Sequence, residues 1–221
     1  MYKVFLFAIK RELLITYRSL NDFLMPFSFF LLLSIFFPII INTDSLVLKK
    51  IAYGILWLAY LFSCFLSINR LFDEDYQSGF FELISKSKFL VAFVIGKLFC
   101  GWLLITMPII LVSPITLYIY GINETDIILL FFSMLIGTPI IFNICFMVAS
   151  LTFNLKASAI LAPVLIFPLI IPVLILVTSF FGEDSFNSMH PFDFFKLLFL
   201  LFIITTPFTI FASYNSIKNS S

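Results

Sequence analysis

Residues 157–181 read ASAILAPVLIFPLIIPVLILVTSFF, a run without a single charged side chain. At about 1.5 Å per residue, a helix of this length is enough to cross a hydrocarbon core of roughly 30 Å. A helix is the local structure that satisfies every backbone N–H and C=O of such a segment without water. Working outward, comparable apolar runs occupy residues 23–41, 51–68, 98–118, 127–153 and 192–214, so the sequence predicts six transmembrane helices. The fold class is therefore an all-α polytopic membrane protein with one transmembrane domain over residues 1–221.

The composition agrees. Of 221 residues, 62% are hydrophobic and only 11% charged, and the mean hydropathy is +1.16. A soluble domain carries about 25% charged residues and needs them to cover its core. A net charge of +1, with no basic stripe, excludes nucleic acid as a partner and leaves the lipid bilayer as the surroundings. Cys64, Cys100 and Cys145 lie in apolar runs with no metal-binding spacing, and read as small core residues.

The basic residues orient the chain. With the N-terminus inside, the cytoplasmic segments hold Lys3, Lys10, Arg11, Arg18, Arg70, Lys86, Lys88, Lys156 and Lys218, against Lys49, Lys50 and Lys196 outside. Both termini are thus expected in the cytoplasm. Lys97, at the edge of the third run, is expected to snorkel to the headgroups. Tyr53, Trp57, Tyr60, Trp102, Tyr118 and Tyr120 fall mostly toward span ends and read as interface anchors.

Residues 1–22 precede the first span. On a helical wheel Lys3, Lys10, Arg11 and Arg18 fall within an arc of about 100°, as in an interfacial amphipathic helix. A basic lead-in that only sets topology would look the same.

The proposed span cores hold no Asp, Glu, Arg or His, which leaves nothing for a proton relay or a voltage sensor. No HExxH, GxSxG or nucleotide-binding glycine loop is present: Gly96-Lys97 is followed by Leu98. The chain is expected to be no enzyme, and any ATP hydrolysis belongs to a separate subunit. His190, the single histidine, lies in the last outer loop as a candidate outer-face functional residue; the competing reading is an ordinary interfacial side chain, and no metal is assigned.

The scarce charge concentrates in residues 69–88, NRLFDEDYQSGFFELISKSK, between spans two and three. Phe72, Tyr76 and Leu83 fall within about 40° on a helical wheel, which predicts a short cytoplasmic helix interrupted near Gly79. Two readings stand: a solvated connector, or a helix that docks into a groove on a cytoplasmic partner. The docking set is Arg70, Leu71, Phe72, Asp75, Tyr76, Gly79, Glu82 and Leu83. Prolines at 108, 114, 139, 163, 168, 172 and 207 lie inside spans, where each frees a backbone carbonyl that a neighbour must satisfy.

These features in this order resemble the haem exporter protein B family, also called cytochrome c maturation protein B, the permease subunit of an ABC-type system. The resemblance rests on Arg11-Glu12-Leu13, Phe37-Pro38, Trp57, Arg70-Leu71-Phe72 with Asp75, Gly79 and Glu82, and Lys97 with Trp102. It continues through Ser113-Pro114, Gly137-Thr138-Pro139, Pro168 with Pro172, Ser188-Met189-His190 and Pro207-Phe208. The chain departs from the family pattern at Asn69 and Ser78, where acids are usual, and at Gly101, where many members have histidine.

The resemblance implies a cytoplasmic ATPase, haem exporter protein A, docked on residues 69–88, and membrane proteins C and D nearby. It also implies haem chaperone protein E as an indirect partner, haem as a cargo, ATP used through the partner, and residence in a bacterial inner (plasma) membrane or a mitochondrial inner membrane. Two-fold ATPases need two docking surfaces, so a homo- or hetero-oligomer is expected. The alternative is a permease of another ABC exporter, for a lipid, a drug or a polysaccharide.

Overall fold

The structure is a computed structural model that describes residues 2–18, 20–41, 45–68, 70–155, 158–181 and 190–219. Among these residues the chain is helical throughout, in the order α1 (Tyr2–Arg18), α2 (Leu20–Ile40), α3 (Ser45–Ile68), α4 (Arg70–Gln77), α5 (Phe80–Ser85), α6 (Leu90–Ile119), α7 (Glu124–Thr152), α8 (Ser158–Phe181) and α9 (Pro191–Asn219). Five helical stretches are long and apolar enough to cross a membrane, and Leu24–Ile40 is a shorter apolar helix beside them. The loop acids Glu183 and Asp184, the pair Ser188-Met189, and Asn69 and Lys156 lie outside the described residues.

α6 starts at Leu90 and runs unbroken for 30 residues. That is roughly 45 Å of helix, about half as long again as a hydrocarbon core, so its first turns extend past the span expected from residue 98. Lys97 lies on this extension and is buried, 2% exposed, rather than reaching for headgroups. The expectation of snorkelling fails because two carboxylates from other helices meet the ammonium inside the protein.

The aromatic anchors are also redistributed. Tyr118 is 76% exposed, but Trp57 and Tyr60 are 0% exposed and Tyr120 is 2% exposed. Their polar tips explain two of these corrections: the Tyr60 hydroxyl donates to the Thr138 carbonyl at 3.1 Å, and Tyr120 donates to the Ser34 carbonyl at 2.9 Å. Trp57 points the edge of its indole at Gly137, where an added Cβ would stand 2.5 Å from Cη2. Glycine is what lets α3 and α7 approach this closely.

Ser34 is four residues before Pro38, so its carbonyl is one that the proline deprives of its helical donor. Tyr120 replaces that donor from the far end of α6. The carbonyl of Ile110, freed by Pro114, takes its hydrogen bond from Ser113 Oγ at 2.8 Å. α7 and α9 meet along a polar seam. Asn143 Nδ2 donates to Thr206 Oγ1 at 3.0 Å, Thr209 Oγ1 donates to the Asn143 carbonyl at 3.1 Å, and Ser150 and Ser213 hydroxyls bond at 2.9 Å. Hydrogen bonds of this kind between apolar helices fix register, each contributing about 1 kcal/mol.

Candidate functional site

The segment between α3 and α6 folds as two short helices at an angle. Gly79 separates them in the left-handed conformation, φ 68° and ψ 11°, which a residue without Cβ adopts at no steric cost. The turn is closed by Ser78 N donating to the Glu74 carbonyl at 3.0 Å and Gly79 N to the Tyr76 carbonyl at 3.1 Å. Because the helix breaks here, Leu83 does not share the face on which Phe72 and Tyr76 both meet Phe153. Phe72 is fully buried, Tyr76 is 45% exposed and Leu83 is 76% exposed.

The inner side is an aromatic clasp on the end of α7. The Phe72 ring lies 4.8 Å from Phe146, and Phe153 gathers Phe81 at 5.1 Å and Tyr76 at 5.3 Å. Leu71 packs where α6 and α7 nearly touch: a Cβ on Gly101 would meet Phe142 Cζ at 3.0 Å and Leu71 Cδ1 at 3.1 Å. A larger residue at 101 must push Leu71 aside, so the departure to glycine is matched to this close packing. The outer side carries Arg70, Glu74, Gln77, Glu82, Leu83 and Lys86, all exposed, and Tyr76 stands at the edge between the two sides, its ring on Phe153 and partly open.

Beneath the clasp sits a buried, charge-balanced network. Lys97 Nζ donates to Asp75 Oδ2 at 2.7 Å and to Glu12 Oε1 at 2.9 Å. Arg11 donates to the other Asp75 oxygen and, at 3.2 Å, to Glu12 Oε1. Its guanidinium lies 4.0 Å over the Phe80 ring, and the Lys97 ammonium approaches Phe72 and Phe93 at 5.9 Å and 6.0 Å. Glu12, Asp75 and Lys97 are each no more than 3% exposed. Burial alone would raise the Asp75 carboxyl. The Lys97 charge and the Arg11 and Lys97 hydrogen bonds outweigh it and hold the group below the usual carboxylate range. Asp73, only partly buried, is pushed the other way by burial, against the pull of Arg70.

One network thus joins three elements: α1 through Arg11 and Glu12, α4 through Asp75 and α6 through Lys97. α1 is laid along α6, with Ala8 and Glu12 against it and Cys100 Sγ 3.8 Å from the Ile9 carbonyl. Of the basic arc on α1, Arg11 turns inward to Asp75 while Lys10 stays exposed; Lys3 and Arg18 lie on the same helix. His190 stands apart from α4 and α5, exposed, and its carbonyl caps α9 by accepting from Asp193 N at 2.9 Å and Phe194 N at 3.3 Å. Among the described residues no three His, Cys, Asp or Glu side chains group as a metal site, and Cys64, Cys100 and Cys145 are free and buried.

The family model described as CcmB protein matches residues 3–220. The chain belongs to the CcmB protein family. Among the similar curated proteins, Heme exporter protein B of Haemophilus influenzae is 38% identical over 83% of this chain and 84% of its own length. Heme exporter protein B of Pseudomonas aeruginosa is 32% identical over 80% and 79%, and that of Escherichia coli K12 is 30% identical over 81% and 80%. Within this CcmB chain, sequence reading had not placed Glu12 and Lys97 in the site. A signal was present: Glu12 is the lone acid of the first 21 residues, and Lys97 is the lone charge between Lys88 and Glu124. Isolated opposite charges in apolar surroundings need partners.

Proposed function

We infer that this chain is the membrane permease subunit of a haem exporter serving c-type cytochrome biogenesis in a bacterial inner membrane. The observation that carries the reading is the match to the CcmB protein family along nearly the whole chain, with relatives named Heme exporter protein B covered over about four fifths of their length. The chain is a transporter subunit rather than an enzyme, and ATP is used by a separate cytoplasmic ATPase. In this reading α2 completes six spans, both termini are cytoplasmic, and α1 lies at the inner interface.

The ATPase, haem exporter protein A, rests on the outer side of α4 and α5, at Arg70, Tyr76, Glu82 and Leu83, with Gly79 setting the angle between the two helices. Leu71, Phe72 and Asp75 form the inner side, so a push on α4 is delivered to α7 through the aromatic clasp and to α6 and α1 through Lys97 and Arg11. Charge-balanced buried contacts of this kind are stiff, because leaving one partner behind costs several kcal/mol. The work is relayed to proteins C and D and indirectly to chaperone protein E, with haem as the cargo. The working unit pairs this chain with a second copy or with another membrane subunit, since a two-fold ATPase presents two docking surfaces. Deleting the gene and staining c-type cytochromes for haem tests the pathway: holocytochromes are expected to vanish, and normal levels would refute it.

A further inference from the structure

α6, α7 and α9 enclose a cavity of about 250 Å³, whose walls include Ile95, Phe99, Trp102, Asn143, Phe202 and Thr206. Thr206 falls near the middle of α9, roughly 20 Å from either end. The cavity therefore sits at mid-membrane depth, away from both headgroup layers. Ile95 and Phe99, 36% and 46% exposed, leave it open toward the lipid. No lining residue is charged. A charge without a counter-charge is costly at this depth, so the cavity suits a neutral occupant.

One polar atom there lacks a partner. Asn143 is 4% exposed, and its Nδ2 donates to Thr206 Oγ1 at 3.0 Å and to Thr205 Oγ1 at 3.5 Å. Both threonine hydroxyls donate to the Phe202 carbonyl, at 2.8 Å and 3.3 Å, so they can only accept from Asn143 and the orientation of its amide is set. Oδ1 is left for the cavity, and no N–H or O–H among the described residues reaches it. Trp102 Nε1 is engaged elsewhere, donating to Thr138 Oγ1 at 3.4 Å, which leaves its indole as an apolar wall with Phe99 and Phe202. The site thus calls for a neutral, flat, largely apolar molecule that donates one hydrogen bond. An acyl chain has no donor and a quinone offers only acceptors. Pockets for drug-sized ligands begin at roughly 300 Å³, so the space suits one ring with short substituents.

We propose that this cavity binds the hydroquinone headgroup of a membrane quinol, with one ring hydroxyl donating to Asn143 Oδ1, the ring against Trp102, Phe99 and Phe202, and the tail leaving past Ile95 into lipid. The site is independent of the exporter reading, since no residue of α4 or α5 lines it and its ligand is not the cargo. The test is equilibrium gel filtration of the full-length chain in detergent containing decylubiquinol, kept reduced by dithionite without oxygen, or decylubiquinone. The wild type is expected to bind the reduced form about tenfold more tightly, a ratio that one neutral hydrogen bond supplies. Asn143→Ala should bring the two forms to parity. Thr209→Val loosens the same contact between α7 and α9 but leaves Oδ1 in place, and should keep the preference. Ile95→Trp, which fills the mouth, should weaken binding of both forms. Equal binding of the two forms by wild type, a preference that survives Asn143→Ala or vanishes in Thr209→Val, wild-type binding by Ile95→Trp, or displacement of the quinol by an equal concentration of dioleoylglycerol would each overturn the proposal.

Discussion

Lys97 and Asp75 form a fully buried ion pair, Nζ to Oδ2 at 2.7 Å, that ties α4 to the longest of the described helices, α6. Asp75 shares a second cation, Arg11, and Lys97 a second carboxylate, Glu12, so neither charge can leave without stranding another.

Lys97→Met removes one cation and leaves two carboxylates facing Arg11 alone. Thermal unfolding in detergent should show a loss of about 3 to 5 kcal/mol, the cost of an uncompensated buried charge. Adding Asp75→Asn to Lys97→Met should recover part of that loss, because it removes one stranded charge. Strict additivity of the two substitutions would contradict the pairing.

The pH dependence follows from Asp75. Its carboxyl is depressed in the folded chain, so the stabilisation is complete above the ordinary value of about 3.9 and is lost as pH falls through the lower folded value. Comparing wild type with Asp75→Asn should show a stability gap that is constant at neutral pH and closes only in strong acid. A gap that closes already between pH 5 and 7 would contradict this assignment.

The carbonyl left open by Pro38 gives a separable test. Tyr120→Phe should cost about 1 to 3 kcal/mol, since the Ser34 carbonyl then lies buried without the tyrosine donor. In a Pro38→Ala background the helix regains its own N–H and the same substitution should cost much less. Equal costs in both backgrounds would show that Tyr120 acts through packing alone.

Gly137→Ala should destabilise the α3–α7 contact by about 1 to 3 kcal/mol, because the new methyl meets the Trp57 indole at 2.5 Å. Combining it with Trp57→Leu should lower the penalty, as read from melting curves of the four chains.

Much of this architecture is legible in the sequence. Apolar runs such as 157–181 declare helices by length, and the charge gathered between Arg70 and Lys88 marks the connection that folds as α4 and α5. Gly79 shows its turn for the same reason, since a glycine amid helix formers has few other uses. What lay hidden depends on partners distant in sequence. A lysine beside an apolar run reads as a headgroup ligand until positions 12 and 75 are brought to it. Trp57 suits an interface or a core equally well, and the deciding Gly137 is on another helix. Phe72 and Leu83 share an arc on a continuous wheel, but the left-handed residue between them turns one inward and one outward.

That division between the two sides of α4 and α5 bears directly on ATPase docking. Phe72→Ala is expected to cost about 3 to 5 kcal/mol of stability through the cavity it leaves, whereas Glu82 and Leu83 are exposed and can be truncated without unfolding the chain. The decisive measurement is co-purification of the cytoplasmic ATPase with Glu82→Ala plus Leu83→Ala, alongside a melting curve of the same sample. An inserted chain that melts like wild type and brings down no ATPase is the expected result; ATPase recovered at the wild-type level would contradict docking on this face.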